Sequence, residues 1–373
     1  MSILHAQHAQ HAQHAQHAQH AQDEGGSGNP PILLSTALIT TRDGLIGSEA
    51  IVPGDPPATP TPLPPARRLL RLTSEHRAGV MTAEILEDLC FETHGDGLLS
   101  TSAVLLRRKT GGAPRDASYV RLLKLTPPPP ERLRDGLPYV AGYAELRGER
   151  LSEIEVQKTD LLSFFASIIP LCPDRSQRSI ELLGFTMDIV GALAQRFKVA
   201  FACPRPYFFS PLLQPMIPTP EHGSWPSGHA TQAFAVATVL TALGKGGPVT
   251  PEAEDQLLRL AARIAANRTV AGVHFPADSA AGAMMGVTLG NYLAGRAMAA
   301  EEGGPGEVAS LRFDGSAFTA DRDFHIGTVH ALLGTGGTAD PACTFDPAHK
   351  VRPAPMLGAL WQAAREEVAA TWN

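Results

Sequence analysis

Four long apolar segments between residues 176 and 298 most constrain what this chain can fold into. In the first, Ser176 to Ala200, apolar side chains recur three and four residues apart, the spacing of one helical face. The others cover residues 230–243, 250–267 and 277–298, and the last is rich in alanine and glycine, which permits close helix packing. Because no alternating strand pattern separates the four segments, the sequence predicts an all-α fold, a bundle of helices.

The N-terminal part of the chain is expected to contribute a tail and an accessory region. Six HAQ triplets and a linker fill residues 1–29. Their period of three does not match the helical 3.6, so we expect a disordered tail, with adventitious binding of a divalent metal as the alternative. Residues 30–150 contain an irregular Pro-rich extension, and we expect them to pack on the bundle with irregular structure and a few strands.

Finer boundaries follow from local composition. Ile32 to Val52 carries β-branched residues and predicts two short strands or irregular chain, whereas Phe91 to Gly97 looks like a loop. The helical bundle itself is predicted at residues 151–300. Residues 301–373 then form a C-terminal extension with one helix, from Pro355 to Thr371.

Charge and hydropathy exclude several classes of partner. The net charge of −6 gives no basic surplus for nucleic acid or for an anionic membrane. The longest strongly apolar run, Leu161 to Cys172, is shorter than the roughly 20 residues that a membrane-spanning helix needs. No basic stretch followed by an apolar run, as in a signal peptide, begins the sequence. We therefore expect a soluble, cytoplasmic protein with no transmembrane segment, and a homo-oligomer is compatible with the sequence.

Three short motifs carry the residues with chemical potential. The first places Lys198 seven residues before Arg205 at the end of the long helix, where cations commonly just complement the helix dipole. The second is the Pro-Ser-Gly-His turn at residues 226–229, where a helix start attracts anions and a histidine can move protons near neutral pH. The third spaces His274 and Asp278 four residues apart, a spacing often found in surface ion pairs. Alone, each motif is weak; together they suggest an oxyanion site with a proton shuttle.

The three motifs in this order resemble the signature of one superfamily. It unites type 2 phosphatidic acid phosphatases, bacterial class A acid phosphatases and vanadium-dependent haloperoxidases, and its pattern reads K-x6-R-P, then P-S-G-H, then S-R-x5-H-x3-D. This chain matches every position except one, since Asn267 stands where the family usually has Ser. The resemblance covers about residues 180 to 300. It implies a helical bundle of the haloperoxidase/acid phosphatase type with the site at one end.

The resemblance implies a cradle for phosphate or vanadate. Its equatorial oxygens would be neutralised by three cations, a point charge and two planar forks: Lys198, Arg205 and Arg268. The Ser227 hydroxyl and the Gly228 N–H would complete the cradle, because glycine lets the backbone approach closely.

The resemblance also implies the reacting groups. His274 is the nucleophile that becomes phosphohistidine in the phosphatases, and in the haloperoxidases it is the protein ligand to the metal, vanadium. Asp278 fixes the tautomer of His274, and His229 is the acid/base on the opposite side. His222 lies where bromide-type haloperoxidases place a second histidine, although the acid phosphatases also carry a polar residue there.

Two reactions and one binding role remain open. Vanadate and phosphate have the same shape, so the residues fit both peroxide-dependent halide oxidation and phosphomonoester hydrolysis. The long chain without spanning helices or a signal peptide favours a haloperoxidase that uses vanadate as cofactor, hydrogen peroxide and a halide, bromide or iodide rather than chloride. The alternatives are a soluble acid phosphatase acting on a phosphate ester, and a non-catalytic protein that binds oxyanions in the same pocket.

Overall fold

The computed structural model describes residues 32–46, 54, 63–95, 99–111, 118–244, 251–301, 306–335 and 340–372. The chain divides into two compact units, Met1–Pro64 and Pro65–Asn373. In the first unit Ile32–Ile46 forms helix α1, so the expectation of strands or irregular chain there is wrong. Its β-branched residues misled that prediction, because β-propensity depends strongly on context. The HAQ tail predicted at residues 1–29 lies outside the described residues.

The second unit is mainly helical. In chain order its helices are α2 (Pro65–Leu69), α3 (Ser74–Leu86), α4 (Pro130–Asp135), α5 (Leu137–Tyr143), α6 (Arg147–Val156), α7 (Leu162–Phe165), α8 (Gln177–Phe201), α9 (Pro206–Phe209), α10 (Gly228–Gly244), α11 (Pro251–Val270), α12 (Pro276–Glu301), α13 (Ile326–Leu332) and α14 (Pro355–Trp372). The four helices predicted between residues 176 and 298 are confirmed as α8, α10, α11 and α12. Within the described ranges, no helix is both long and apolar enough to cross a membrane.

Helix α10 lies at the centre of the bundle and contacts α8, α11, α12 and α14. Apolar side chains surround it on most sides, as expected for a helix buried all round; Phe234, Val236 and Leu240 have no exposed surface. Because α10 begins at Gly228, burial of this helix fixes the position of the predicted Ser-Gly-His turn.

Three glycines bring α12 against α10. A Cβ on Gly282 would lie 2.5 Å from the Ser227 carbonyl oxygen, and one on Gly286 would lie 2.4 Å from that of Thr231. One turn further, a Cβ on Gly290 would approach the Thr238 Cβ to 2.8 Å. The close packing expected from the glycine content of this segment is therefore confirmed, and it sets the distance between the second and third motifs.

A β-sheet shows that the all-α prediction is incomplete. Strands β1 (Leu89–His94), β2 (Ser102–Arg108) and β3 (Tyr119–Thr126) form an antiparallel meander, and β5 (Leu311–Asp314) pairs parallel with β3. Strand β6 (Cys343–Phe345) completes a five-stranded sheet, and β4 (Glu307–Val308) pairs with β7 (His349–Lys350) in a small ribbon.

The sheet corrects two expectations. Most of the predicted loop at residues 91–97 belongs to β1. In β2 the first four residues are all buried, so the alternation that marks a half-exposed strand is absent from this segment. Since β3 and β5 pair, the accessory region and the C-terminal extension contribute to one sheet. The division into segments 1–29, 30–150, 151–300 and 301–373 stays a prediction.

The C-terminal extension contains two helices where the sequence predicted one. The predicted helix is α14 (Pro355–Trp372), and the additional one is α13 (Ile326–Leu332). His325 caps α13, since its Nδ1 accepts a hydrogen bond from the Gly327 N–H, while the Thr328 hydroxyl accepts one from the His325 N–H. A helix of seven residues is too short to show a clear 3.6-residue period, and a histidine cap is not a usual start signal.

Helix α6 contacts α11 near the ends of the long helices. Its Ile154 has no exposed surface and packs in a cluster with Ile217 and with Val270, Ala271 and Val273, which end α11 and lead into the third motif. This apolar contact holds the C-terminal end of α6 against the segment that leads into the third motif.

Candidate functional site

A cavity of about 410 Å³ lies where the ends of α8 and α11 meet the starts of α10 and α12. Its wall includes seven of the nine predicted site residues: Lys198, Arg205, His222, Gly228, His229, Arg268 and His274. The other two, Ser227 and Asp278, have no exposed surface. The three sequence motifs, which span about 80 residues of chain, therefore meet at one place.

Lys198 and Arg205 are held by backbone carbonyl groups. Lys198 Nζ donates to the carbonyl oxygens of Gly223 and Ser224, both at 2.9 Å. Arg205 Nη1 donates to the Val273 carbonyl oxygen at 2.8 Å. Burial and the neighbouring Arg205 lower the pKa of the Lys198 ammonium. These carbonyl groups orient both cations without neutralising their charge.

The Ser-Gly-His turn starts α10 beside Lys198. The Ser227 N–H donates to the Asp278 carbonyl oxygen at 2.9 Å, and the Ser227 hydroxyl oxygen accepts from the Ala230 N–H at 3.5 Å. Gly228 lines the cavity, and the nearest atom to a Cβ placed on it would be Lys198 Cε at 3.9 Å. The positive end of the α10 dipole therefore lies at the cavity wall.

His274 and Asp278 form the buried pair that their spacing allows. His274 Nδ1 donates to Asp278 Oδ2 at 2.9 Å, and the Phe275 N–H donates to the same oxygen at 3.0 Å. This bond fixes the proton on Nδ1, and Nε2 has no hydrogen-bond partner among the described residues. Burial and the charges of Lys198 and Arg205 lower the pKa of His274 well below its usual value, so the ring is neutral. Burial raises the pKa of Asp278, while the same two cations oppose that rise.

His229 is also neutral and has one defined hydrogen bond. Its Nε2 donates to the carbonyl oxygen of Gln157 at 3.0 Å, which leaves Nδ1 as the ring atom with a lone pair. Burial first and the charge of Arg268 second lower the pKa of His229 to about 3.

Of the three cations on the cavity wall, Arg268 has the most unused hydrogen-bonding capacity. It is 1% exposed, and its Nη2 donates to Gln157 Oε1 at 3.0 Å and to the Ile154 carbonyl oxygen at 3.4 Å. Its Nε and Nη1 have no partner among the described residues. A buried guanidinium with unpaired N–H groups on a cavity wall is costly unless an anion binds there.

Sequence reasoning missed Gln157 and the contacts of Asn267. Asn267 Nδ2 donates to Gln157 Oε1 and to Glu153 Oε2, both at 3.0 Å, and its Oδ1 accepts from Arg150 Nη1 at 3.2 Å. All three partners belong to α6 or the residue after it, where no motif marks them. The Asn at a position that usually holds Ser was the one available signal.

His222 lies on the cavity wall beside Arg205. Its Nδ1 is 3.2 Å from Arg205 Nη2 and 3.1 Å from the Gly223 carbonyl oxygen, and burial lowers its pKa. In the part of the chain that the structure describes, no group of three or more His, Cys, Asp or Glu side chains could hold a metal ion. The cavity wall itself combines the N–H donors of Lys198, Arg205 and Arg268 with the His274 ring.

Comparison with known proteins agrees with this geometry. Residues 181–297 match the PAP2 superfamily. A vanadium-dependent bromoperoxidase of Ascophyllum nodosum is 35% identical over 94 residues, which cover 19% of this chain and 17% of that protein. The chain thus aligns with less than a fifth of its relative's length. All nine predicted site residues lie within residues 181–297, the part of the chain that is similar to the PAP2 superfamily.

Proposed function

We propose that this protein is a vanadate-dependent haloperoxidase-like enzyme that oxidises bromide or iodide, rather than chloride, with hydrogen peroxide. The observation that carries the proposal is the surplus of cationic donors, with Arg268 Nε and Nη1 unpaired, around the neutral His274 ring. The similarity to a bromoperoxidase supports halide oxidation, and His222 on the cavity wall supports bromide or iodide.

The residues present fit vanadate. Lys198, Arg205 and Arg268 line the cavity, and Asp278 interacts with the charges of the first two, so an anion would offset the excess positive charge. Its oxygens would be held by these cations, the Ser227 hydroxyl and the Gly228 N–H, and His274 Nε2 would be the protein ligand to vanadium. Bound vanadate would supply a Lewis acid that activates hydrogen peroxide toward a halide ion.

The chain's own groups then have distinct tasks. Asp278 keeps the His274 proton on Nδ1, so that Nε2 presents its lone pair. His229 holds its proton on Nε2 against the Gln157 carbonyl, so Nδ1 accepts a proton from entering hydrogen peroxide and returns it to the departing oxygen. Overall, halide, hydrogen peroxide and one proton give hypohalous acid and water; the halide loses two electrons and the peroxide gains them.

Phosphomonoester hydrolysis is the second candidate, favoured by the PAP2 superfamily match itself. Phosphate has the shape of vanadate and would use the same three cations. His274 Nε2 would attack phosphorus, and His229 would donate a proton to the leaving alcohol once the substrate anion has raised its pKa. A non-catalytic oxyanion binder is the third candidate, and the buried His274–Asp278 pair argues against it, because binding alone needs no oriented nucleophile.

One assay separates these candidates. Protein freed of bound anions by chelation in phosphate-free buffer is supplied with orthovanadate, bromide, hydrogen peroxide and a dye that changes colour on bromination. We expect bromination that requires vanadate. Hydrolysis of a phenyl phosphate ester that vanadate inhibits, without bromination, would instead establish the second candidate. His274→Ala should abolish either activity, whereas His349→Ala, at an exposed histidine, should keep it.

A further inference from the structure

Gln157 makes contacts that no sequence motif anticipates. It follows α6, lies outside residues 181–297 and is 1% exposed. Its side-chain Oε1 accepts hydrogen bonds from Arg268 Nη2 and from Asn267 Nδ2, each at 3.0 Å. Its main-chain carbonyl oxygen accepts from His229 Nε2 at 3.0 Å. One residue therefore joins the second motif to the third.

The α6 face that carries Gln157 is built to hold Asn267. Arg150, Glu153 and Gln157 are spaced three and four residues apart and so lie on one side of the helix. Between them they use both donors and the acceptor of the Asn267 amide. A serine hydroxyl at this position could not satisfy three such partners with the same geometry. The departure from the usual family residue is therefore matched by partners on α6.

Because the Gln157 side chain is neutral, it holds Arg268 without cancelling the charge of the guanidinium. A carboxylate in its place would pair with Arg268 and cancel much of the charge that an oxyanion needs. The acid on this face, Glu153, pairs instead with Arg263 at 2.5 Å on the exposed side of α11. The amide oxygen thus orients the guanidinium and leaves its charge, with Nε and Nη1, unneutralised.

We propose that Gln157 is a positioning residue of the oxyanion site, which holds the Arg268 guanidinium and the His229 ring in one arrangement. The functional site then extends beyond the superfamily domain to α6. This inference rests on the oxyanion site of the proposed function, and it assigns Gln157 no contact with the reacting atoms.

The test uses Gln157→Met, which keeps the length of the side chain and removes the acceptor. Affinities for inorganic phosphate and orthovanadate are measured by titration calorimetry. We expect both to weaken on the order of 10- to 100-fold, as for other residues that orient binding groups. In the Arg268→Met background, Gln157→Met should change neither affinity further, because the group through which it acts is absent. Gln362→Met, at an exposed glutamine of α14, is the matched control and should have no effect.

A spectroscopic measurement tests the hydrogen bond from His229 Nε2 to the main-chain carbonyl oxygen of Gln157. The ¹⁵N spectrum of histidine-labelled protein should show His229 with its proton on Nε2, and Gln157→Met should give a mixture of tautomers because the anchored carbonyl loses its fixed position. A purely structural role for Gln157 predicts lower stability with an unchanged tautomer.

Several outcomes would overturn the proposal. An equal loss of affinity in the native and Arg268→Met backgrounds would show that Gln157 does not act through Arg268. If Gln157→Met does not fold, Gln157→Glu decides, because it keeps an acceptor for Arg268 and Asn267 and adds a negative charge beside Arg268. We expect this variant to bind phosphate about tenfold more weakly than the native protein. An affinity equal to that of Gln362→Glu would contradict the proposal. If the native protein binds neither anion, the proposed function itself fails instead.

Discussion

Two buried clusters of charge in this protein differ in how fully their groups are paired. In the first, Asp88 Oδ2 accepts from the Tyr292 hydroxyl at 2.7 Å and Oδ1 accepts from Arg352 Nη1 at 3.0 Å. Arg296 joins this cluster, donating to the Tyr292 hydroxyl at 3.0 Å and to two backbone carbonyl oxygens. In the second, the candidate site, Lys198, Arg205 and Arg268 line one cavity, and Asp278 interacts with the charges of Lys198 and Arg205.

The difference separates a structural network from a binding site. The Asp88 cluster links α12, the residue before β1 and the chain before α14, and both oxygens of its carboxylate have hydrogen-bond partners. The site cluster leaves Arg268 donors unpaired on a cavity wall. Arg107 also keeps Nε and Nη2 without a partner among the described residues, although its Nη1 donates to the Lys350 carbonyl oxygen. An unpaired buried donor alone therefore does not mark a site; convergence of several cations on one cavity with an oriented histidine does.

The largest effect on stability should come from the paired cluster. Asp88→Ala leaves Arg296 and Arg352 without their carboxylate, and we expect the free energy of unfolding to fall by about 3–5 kcal/mol. Urea unfolding measures it, with Asp174→Ala at an exposed aspartate as control. Phosphate affinity should be unchanged at a temperature where the variant remains folded. A stability loss no larger than that of the control would remove the basis of the comparison.

In the candidate site we expect the opposite pattern, a loss of oxyanion affinity without a loss of stability. Arg268→Met removes hydrogen bonding to a charged ligand, and with one such bond contributing about 1.5–3 kcal/mol the oxyanion affinity should fall on the order of 100-fold. Because the variant also removes a buried cation with unpaired N–H groups, the protein should be at least as stable as the native one. Calorimetric titration and urea unfolding on the same samples test both. A clear loss of stability with unchanged affinity would make Arg268 a structural residue.

Much of this contrast could be predicted from sequence, for physical reasons. Lys198, Arg205, His229 and His274 lie in short motifs at the ends of long helices, where local spacing already limits the geometry. Gln157 could not be found, because its contacts depend on how α6 packs on α11. The sheet was missed since its central strands are buried without alternation, and the Asp88 cluster joins residues more than 200 positions apart.

A pair of glycine substitutions sharpens the comparison with a smaller effect. Gly286→Ala would place a Cβ 2.4 Å from the Thr231 carbonyl oxygen and should cost about 1–3 kcal/mol of stability. Gly228→Ala meets only Lys198 Cε at 3.9 Å, so stability should be unchanged while oxyanion affinity falls. Thermal unfolding with and without phosphate measures both. If Gly228→Ala binds phosphate normally, Gly228 does not approach the ligand.

The smallest effect is a pH dependence of stability. Burial lowers the pKa of His229 to about 3 in the folded protein, against about 6.5 in the unfolded chain. The unfolded chain therefore takes up a proton at a higher pH than the folded protein. As a result, stability is full above about pH 6.5 and is lost as the pH falls below that value. Between pH 7 and pH 6 the loss should be less than about 1 kcal/mol. Urea unfolding across this range should show a shallower dependence for His229→Gln. Phosphate should reduce the dependence in the native protein, because an anion offsets the charge of Arg268; an identical slope with and without phosphate would contradict this.

The central claim is that unpaired cations around His274 form an oxyanion site, and titration of the phosphate-free protein with orthovanadate tests it most directly. We predict saturable binding of one vanadate per chain, displaced by phosphate and weakened on the order of 100-fold in Arg268→Met. Absence of saturable binding, or an affinity that Arg268→Met leaves unchanged, would contradict the account.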